Sequence, residues 1–271
     1  MLVIYPLYFI VIASISDPNS IYQGKVWLLP HNVSLEGYRR IFSDKNIWTG
    51  YKNSIVYTTV GTFTNLLFTL PAAYALSRKD LDGRKTIMLM ITFTMFFSGG
   101  LIPTYILVIK LGMRNTMWAL IVPGAVSAWN LIVSRTFFQT TIPEELIDAA
   151  KIDGCSDIVF FTRIVLPLSH ALIAIMVLFY GVGHWNGFFS ALIYLSKEKL
   201  YPLQLILRSI LIQNEVSQEM VTDISAVATQ QKIADLIKYG IIIVASVPVM
   251  ILYPFLQKYF VKGVMIGAIK G

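Results

Sequence analysis

Residues able to carry acid–base, nucleophilic or metal chemistry are few in this sequence and are not grouped. The long apolar segments contain two histidines, His170 and His184, which lie fourteen residues apart and far from any third candidate ligand. The same segments contain no Asp or Glu, so they offer neither paired carboxylates for catalysis nor a cluster of metal ligands. The single cysteine, Cys155, excludes an intrachain disulfide and a multi-cysteine metal site. We therefore predict no catalytic residue and no metal site.

A phosphate-binding loop of the form GxxxxGK[ST] is also missing from the sequence. Such a loop holds nucleotide phosphates through its backbone N–H groups and its lysine, so we predict that this chain binds no ATP and no other cofactor. The net charge of +7 does not come from a basic helix with interleaved aromatic residues, and we predict no nucleic acid partner. Lys and Arg accumulate at the cytoplasmic ends of membrane spans, which explains the charge.

The polar stretch with the clearest pattern is Thr141 to Pro167, TIPEELIDAAKIDGCSDIVFFTRIVLP. It predicts two short helices separated by a break at Gly154. Pro143 suits a first helical turn, where its missing N–H would have no partner. Glu144 and Glu145 place negative charge at the positive end of the helix dipole.

Small side chains mark one side of the first predicted helix. Leu146, Ala149 and Ala150 are spaced by three and four residues, which places them on neighbouring turns. The two alanines leave that side without bulk, so a partner could approach it closely.

The same stretch resembles the "EAA loop" of binding-protein-dependent ABC importer permeases, with the pattern Glu-Ala-Ala, three residues, Gly, nine residues, Ile, one residue, Leu-Pro. Here Asp148-Ala149-Ala150, Gly154, Ile164 and Leu166-Pro167 match every spacing. The one departure is Asp148, which keeps the charge of the usual glutamate and shortens its side chain by one methylene. The alternative interpretation is an ordinary amphipathic connector that ends at a glycine.

The resemblance implies that the loop is a coupling helix that docks into a groove of a cytoplasmic ATPase. A bulky or charged residue at Ala149, Ala150 or Gly154 should then break transport without unfolding the membrane spans. The implied contact residues are Glu144, Glu145, Leu146, Asp148, Ala149, Ala150, Asp153, Gly154, Ile164, Leu166 and Pro167.

Composition indicates an all-α integral membrane protein, because 56% of the 271 residues are hydrophobic and only 14% are charged. Uncharged runs of about 20 residues, the length that crosses a bilayer, fill most of the chain. The first apolar run is short, and we expect the sequence to begin inside its first span. The predicted domains are residues 1–52, a first span with an external connector, and residues 53–271, which the resemblance implies to be a type I ABC importer transmembrane domain.

Six membrane spans are predicted in all. After the first, they are residues 53–77, 86–109, 115–134, 168–188 and 239–257. The connector at residues 21–52 contains a short helix after Asn32 or Ser34, and its aromatic residues fit either an interfacial belt or ordinary packing.

Several polar positions within or beside the spans are candidates for a translocation pathway. Polar residues at such depth face other helices or a water-filled path, and we favour helix packing for Asn65. The Ser98-Gly99-Gly100 run with Pro103 predicts either a bend that faces the pathway or a close helix crossing. The candidate pathway residues are Asn65, Ser98, Asn130, Trp185 and Asn186.

Residues 184–189 and the C-terminus extend the resemblance to carbohydrate permeases. Trp185-Asn186 resembles a "W-N-(D/E)-F" motif, with Gly187 in place of the acidic residue. The tail at residues 258–271 resembles that of maltose-type permeases, which implies ATPase contact through Lys262, Gly263, Gly267, Lys270 and Gly271. Without the resemblance, the tail would be interpreted as a basic segment held by anionic membrane lipid.

The implied function is that of one permease subunit in an ATP-driven importer of a sugar, preferably an oligosaccharide. Its partners would be a second, different permease, two cytoplasmic ATPase subunits that carry ATP and Mg, and an external solute-binding protein. The resemblance implies a bacterial cell membrane location. Basic residues near span ends, together with the need of the coupling loop for a cytoplasmic ATPase, favour both termini in the cytoplasm. The alternatives are a permease for amino acids or peptides, an ion-coupled carrier and a membrane enzyme. The lack of acidic residues in the spans argues against the last two.

Overall fold

The computed structural model describes residues 4–220, 237–251 and 254, which form helices and loops without a β-strand. Two compact units divide the chain: the first contains residues 1–55 and 187–252, and the second contains residues 56–186 and 253–271. The helices in chain order are α1 (Ile4–Ser14), α2 (Pro18–Tyr22), α3 (Glu36–Ser43), α4 (Lys45–Ser77), α5 (Arg84–Phe96), α6 (Leu101–Lys110), α7 (Trp118–Ile121), α8 (Ala128–Thr141), α9 (Glu144–Ile152), α10 (Asp157–Phe160), α11 (Leu166–Leu168), α12 (His170–Asn186), α13 (Phe189–Tyr194), α14 (Leu203–Met220) and α15 (Ile237–Ile251).

Three of the predicted spans are interrupted. The segment at residues 86–109 breaks at the Ser98-Gly99-Gly100 run, where α5 and α6 meet at 112°. The segment at residues 115–134 breaks after Pro123-Gly124, with a bend of 52°. The third break, of 83°, lies at Ser169, shortly after Pro167. Glycine and proline explain the first two positions, because they weaken or remove the backbone hydrogen bonds of a continuous helix.

No described helix is by itself both long enough and apolar enough to cross a bilayer. Three bent pairs meet both conditions together: α5 with α6, the segment Trp118–Gly124 with α8, and the segment Asp157–Leu168 with α12.

One helix boundary differs from the sequence prediction, and one short helix agrees with it. Helix α4 begins at Lys45 rather than Asn53 and continues through Pro71 to Ser77, so it is about 50 Å long at 1.5 Å per residue. The short helix expected after Asn32 or Ser34 is confirmed as α3.

In the first unit, small residues and tyrosine hydroxyls join α3, the first turns of α4, α14 and α15. A Cβ at Gly50 would come within 3.0 Å of the Leu203 backbone, so the glycine permits a close approach. The Tyr51 hydroxyl donates to the Val244 carbonyl at 2.5 Å. The amide of Asn53 donates to the carbonyls of Lys199 and Tyr201.

In the second unit, one apolar core combines the C-terminal half of α4 with α8, α12 and the 141–167 loop. Tyr74 stands at its centre and contacts Phe138 edge-on at 5.9 Å between ring centroids, with Phe161 tilted at 5.1 Å. Because the loop contributes Ala150, Phe160 and Val165 to this core, it is a packed part of the unit rather than a loose connector.

Candidate functional site

The first half of the loop at residues 141–167 is helix α9, which begins at Glu144. Pro143 lies one position earlier than predicted: it is the N-cap residue, in extended conformation with ψ 147°. Glu144 and Glu145 occupy the first turn, as expected from the helix dipole. The predicted pair of helices with a break between them is confirmed by α9 and α10.

Gly154 ends the first helix. Its φ of +70° is a left-handed conformation that glycine adopts without steric cost. The turn pairs the last carbonyls of the helix, with Asp153 N donating to Ala149 O at 3.0 Å and Cys155 N donating to Ala150 O at 2.9 Å. Ser156 then caps α10 by accepting from Val159 N at 3.4 Å.

The side of α9 predicted to be open to a partner is in fact divided. Ala150 belongs to the apolar core and Leu146 packs against it, whereas Ala149 is exposed. Ile164 and Leu166 also pack against this core. The prediction of one open side was wrong for Leu146 and Ala150, because Ala150 is buried in the apolar core of this unit and Leu146 packs against that core. A bulky residue at Ala150 would therefore disturb the folding of the unit itself.

An outward surface remains, and it is acidic with two large apolar side chains. Ile152 is 86% exposed and Ile158 is 77% exposed, and they lie on opposite sides of the Gly154 turn in sequence. We call these two side chains the isoleucine pair. The other candidate contact residues that are exposed are Glu144, Glu145, Asp148, Ala149, Asp153, Gly154 and Pro167.

Charged side chains connect α9 to the turn that follows α4. Arg78 makes a two-point contact with Asp80, with Nε donating to Oδ1 at 2.9 Å and Nη2 donating to Oδ2 at 2.6 Å. Lys151 of α9 donates to the same Oδ2 at 3.2 Å. A second pair joins Lys79 Nζ to Glu144 Oε1 at 2.5 Å.

Arg78 and Asp80 both keep their charges at neutral pH. The Arg78 guanidinium, helped by Lys151, holds the pKa of Asp80 well below its usual range. The hydrogen bonds with Asp80 raise the pKa of Arg78. Because the pKa of the Asp80 carboxyl is lowered in the folded state, its contribution to stability is present above about pH 4, the unfolded value. That contribution is lost as pH falls toward the folded value.

Arg78, Lys79, Asp80, Lys151 and the isoleucine pair were not predicted as site residues. The sequence contained a signal for the charged ones, because charges cluster at the predicted turn after residue 77 and recur in the loop. Which charges meet depends on the packing of α9 against α4 and α8, and the sequence does not specify that packing.

Among the predicted pathway residues, Asn65 is fully buried. Its amide donates to the carbonyls of Gly124 and Ala125 at 2.8 and 2.9 Å, and its oxygen contacts His184 Nε2 at 2.6 Å. The carbonyls that it binds belong to the break before α8. In this structure Asn65 therefore acts in helix packing, which was the favoured interpretation.

The other pathway candidates do not form one lining. Ser98 is exposed in the break between α5 and α6, Asn130 and Trp185 are buried, and Asn186 is exposed at the end of α12. Their role in a pathway stays a prediction. The tail candidates Lys262, Gly263, Gly267, Lys270 and Gly271 lie outside the described residues, as does most of residues 252–257. Within the described residues, no three His, Cys, Asp or Glu side chains are placed to hold a metal ion.

Comparison with protein families gives one match over most of the chain. Residues 47–266 match the family described as "Binding-protein-dependent transport system inner membrane component". The matched range contains the whole loop at residues 141–167 and α4 almost from its start.

Individual relatives are similar over nearly their full length. The polygalacturonan/rhamnogalacturonan transport system permease protein YtcP of Bacillus subtilis is 41% identical, covering 100% of this chain and 94% of that protein. The arabinooligosaccharides transport system permease protein AraQ of Halalkalibacterium halodurans is 28% identical, covering 99% and 91%. The crystal structure of a bacterial ABC transporter involved in the import of the acidic polysaccharide alginate contains a similar chain. That chain has a TM-score of 0.84 and a sequence identity of 32%, and the match covers 96% of this protein and 91% of that chain.

Proposed function

The chain belongs to the family of binding-protein-dependent transport system inner membrane components and is a sugar-importer permease, and from this we propose that its 141–167 loop couples it to the ATPase. As a permease it has the type I ABC importer fold and is a non-catalytic, multi-pass membrane component; ATP hydrolysis is done by a separate ATPase. A partner permease and a solute-binding protein complete such systems in general.

The observation that carries the proposal is the isoleucine pair. Ile152 and Ile158 are more than three-quarters exposed in a loop whose charged side chains are mainly acidic. Burial of apolar groups of this size against a partner would be favourable. The loop beneath them is held in the core by Ala150, Phe160 and Val165. A loop that is fixed in the core and exposes the isoleucine pair suits docking into an apolar groove with a basic rim. We assign that groove to the ATPase.

The partner set follows from the same premise. We propose two different permeases, two ATPase subunits that carry ATP and Mg, and one external solute-binding protein. Both termini would lie on the ATPase side of a bacterial cell membrane, where the basic tail at residues 258–271 could also reach the ATPase or anionic lipid.

The proposed substrate is an acidic oligosaccharide. The relative at 41% identity and the solved transporter at 32% identity are named for acidic polysaccharides, while the arabinooligosaccharide relative is more distant, at 28%. The connector at residues 21–52 carries five basic and two acidic side chains, which favours an anionic solute through its field. A neutral oligosaccharide is the second candidate.

The coupling proposal is tested by purifying the tagged chain from its native membrane, as wild type and as Ile152→Ser, and measuring the ATPase recovered. Loss of a buried isoleucine contact of about 1.5–3 kcal/mol should reduce ATPase recovery about tenfold or more. Val33→Ser is the matched control, since Val33 is an exposed apolar residue of the 21–52 connector. Equal recovery from Ile152→Ser and Val33→Ser would contradict the docking role.

A further inference from the structure

The carboxylate of Asp80 is shared between two parts of the chain. It receives the guanidinium of Arg78, from the end of α4, at two points, and the ammonium of Lys151, from the last turn of α9. One acidic side chain, itself 54% exposed and lying outside the 141–167 loop, therefore joins the long helix to the coupling loop.

Arg78 makes this connection stiff on the α4 side. Its side chain is only 10% exposed, and its Nη1 donates to the Tyr74 hydroxyl at 3.1 Å. Nη1 also lies 3.7 Å from an Asp157 carboxylate oxygen on α10. A planar guanidinium that is fixed in this way presents its N–H donors in one orientation. Because two of these donors bind both carboxylate oxygens of Asp80, the orientation of the Asp80 carboxylate is fixed as well.

A second ion pair lies at the opposite end of α9. Lys79 pairs with Glu144 in the first turn, while Asp80 pairs with Lys151 in the last turn. The two attachment points are separated by seven residues, or about 10 Å along the helix axis. Two attachments at this spacing restrain both the position and the tilt of the helix. A single contact would leave the tilt free.

From this arrangement we propose that Asp80 is a positioning residue for energy coupling: it holds the coupling helix in a fixed orientation to α4, so that movement of the helix is transmitted to α4. The inference rests on the proposed function, because it requires an ATPase that moves the loop. Asp80, the residue that would transmit the movement of α9 to α4, lies outside the loop that docks on the ATPase. Exposed ion pairs add little to folding stability, so the role is expected to appear in coupling rather than in protein yield.

The test uses the complete importer, purified through this chain and placed in liposomes with its solute-binding protein and an oligogalacturonide as probe. The quantity measured is the ATP hydrolysed per sugar taken up. In Asp80→Asn the loop should still bind the ATPase but move α4 less effectively, raising that ratio about fivefold or more, the scale of coupling between distinct sites. ATPase recovery should match that of the wild type.

The matched control is Asp82→Asn. Asp82 lies two residues further along the same turn, is exposed, and has no ion pair within the part of the chain that is described. The substitution makes the same change of charge and shape, so the ratio should stay at the wild-type value. Asp80→Glu keeps the carboxylate and should restore most of the coupling.

A double substitution separates transmission from a general structural effect. Lys151→Met removes one partner of Asp80 and should raise the ratio by itself. The Asp80→Asn, Lys151→Met double variant should be no worse than Asp80→Asn alone, because both changes interrupt the same connection. Additive effects would contradict the proposed link.

The outcomes separate this inference from the function on which it rests. A wild-type preparation without any ATPase would overturn both. A wild type that couples normally, together with an Asp80→Asn ratio equal to that of Asp82→Asn, would overturn only the role of Asp80. A raised ratio in Asp80→Asn with unchanged ATPase recovery is the expected result.

Discussion

Gly154 shows how a single backbone conformation shapes the candidate docking surface. Its φ of +70° turns the chain between α9 and α10, and no atom lies within 4 Å of the place where a Cβ would stand. Steric contact with the rest of the protein is therefore not the reason for glycine. Glycine is required by the backbone conformation, because a residue with a Cβ adopts the left-handed conformation at a cost of about 1–2 kcal/mol.

We predict that Gly154→Ala lowers ATPase recovery about fivefold, since the strained turn would move Ile158 relative to Ile152. Gly154→Asn should be milder, because asparagine tolerates this conformation better than alanine. Gly83→Ala is the control: Gly83 has φ +74° and equally open surroundings, but it lies at the start of α5. Co-purification of the ATPase with each tagged variant measures the effect, and a normal result for Gly154→Ala would refute it.

At the scale of elements, α4 and α12 pack through a seam that combines close approach with buried polar contacts. The Thr69 and Tyr180 hydroxyls are 2.8 Å apart, and the Tyr180 hydroxyl also accepts from Ser127 N at 3.2 Å. Further along the seam, Gly61 lets the His184 ring lie against α4, with Nε2 only 2.5 Å from the position of a Cβ. Such contacts hold neighbouring helices together, because apolar surroundings contain no water that would compete for the same polar groups.

We expect Gly61→Ala to destabilise the protein by about 1–3 kcal/mol, because the new methyl group would push His184 away from Asn65. For a chain of this size that lowers the unfolding midpoint by about 2–4 °C per kcal/mol. Gly183→Ala on α12 is the matched control, since nothing lies within 4 Å of its Cβ position, and it should be neutral or slightly stabilising. Thermal unfolding in detergent compares the two variants, and equal midpoints would contradict the role given to Gly61.

At the scale of the whole molecule, the chain is a non-catalytic permease, and ATP is hydrolysed by a separate ATPase. Its ATPase, its second permease and its solute-binding protein are other chains, so its activity can be measured only in the assembled importer. The substrate class is then a property of the complete system, which we proposed to depend in part on the charge of the connector at residues 21–52.

We predict that the assembled importer takes up oligogalacturonides in preference to neutral oligosaccharides of the same length. A carboxyl-reduced oligogalacturonide is the matched control, because it keeps the chain length and linkage and loses only the negative charges. Uptake of the reduced sugar should be weaker by about tenfold or more if charged hydrogen bonds hold the acid form. Equal uptake of both forms would instead support a neutral-sugar importer.

Much of this protein could be predicted from its sequence, because the relevant signals are local. The composition indicated a membrane protein, and the seven spaced positions from Asp148 to Pro167 indicated the permease family that residues 47–266 confirm. The two short helices, the Gly154 turn and the breaks at glycine and proline follow from backbone preferences that each residue carries with it.

Only the tertiary structure decided which sides of those helices are free. Spacing placed Leu146, Ala149 and Ala150 together, but Ala150 is buried in the core that also contains Tyr74 and Phe138, whereas Ala149 is exposed. The same packing brings Lys151 to Asp80 across 71 residues of sequence. Burial and ion pairing depend on which distant segment fills the adjacent space, and a local pattern does not contain that information.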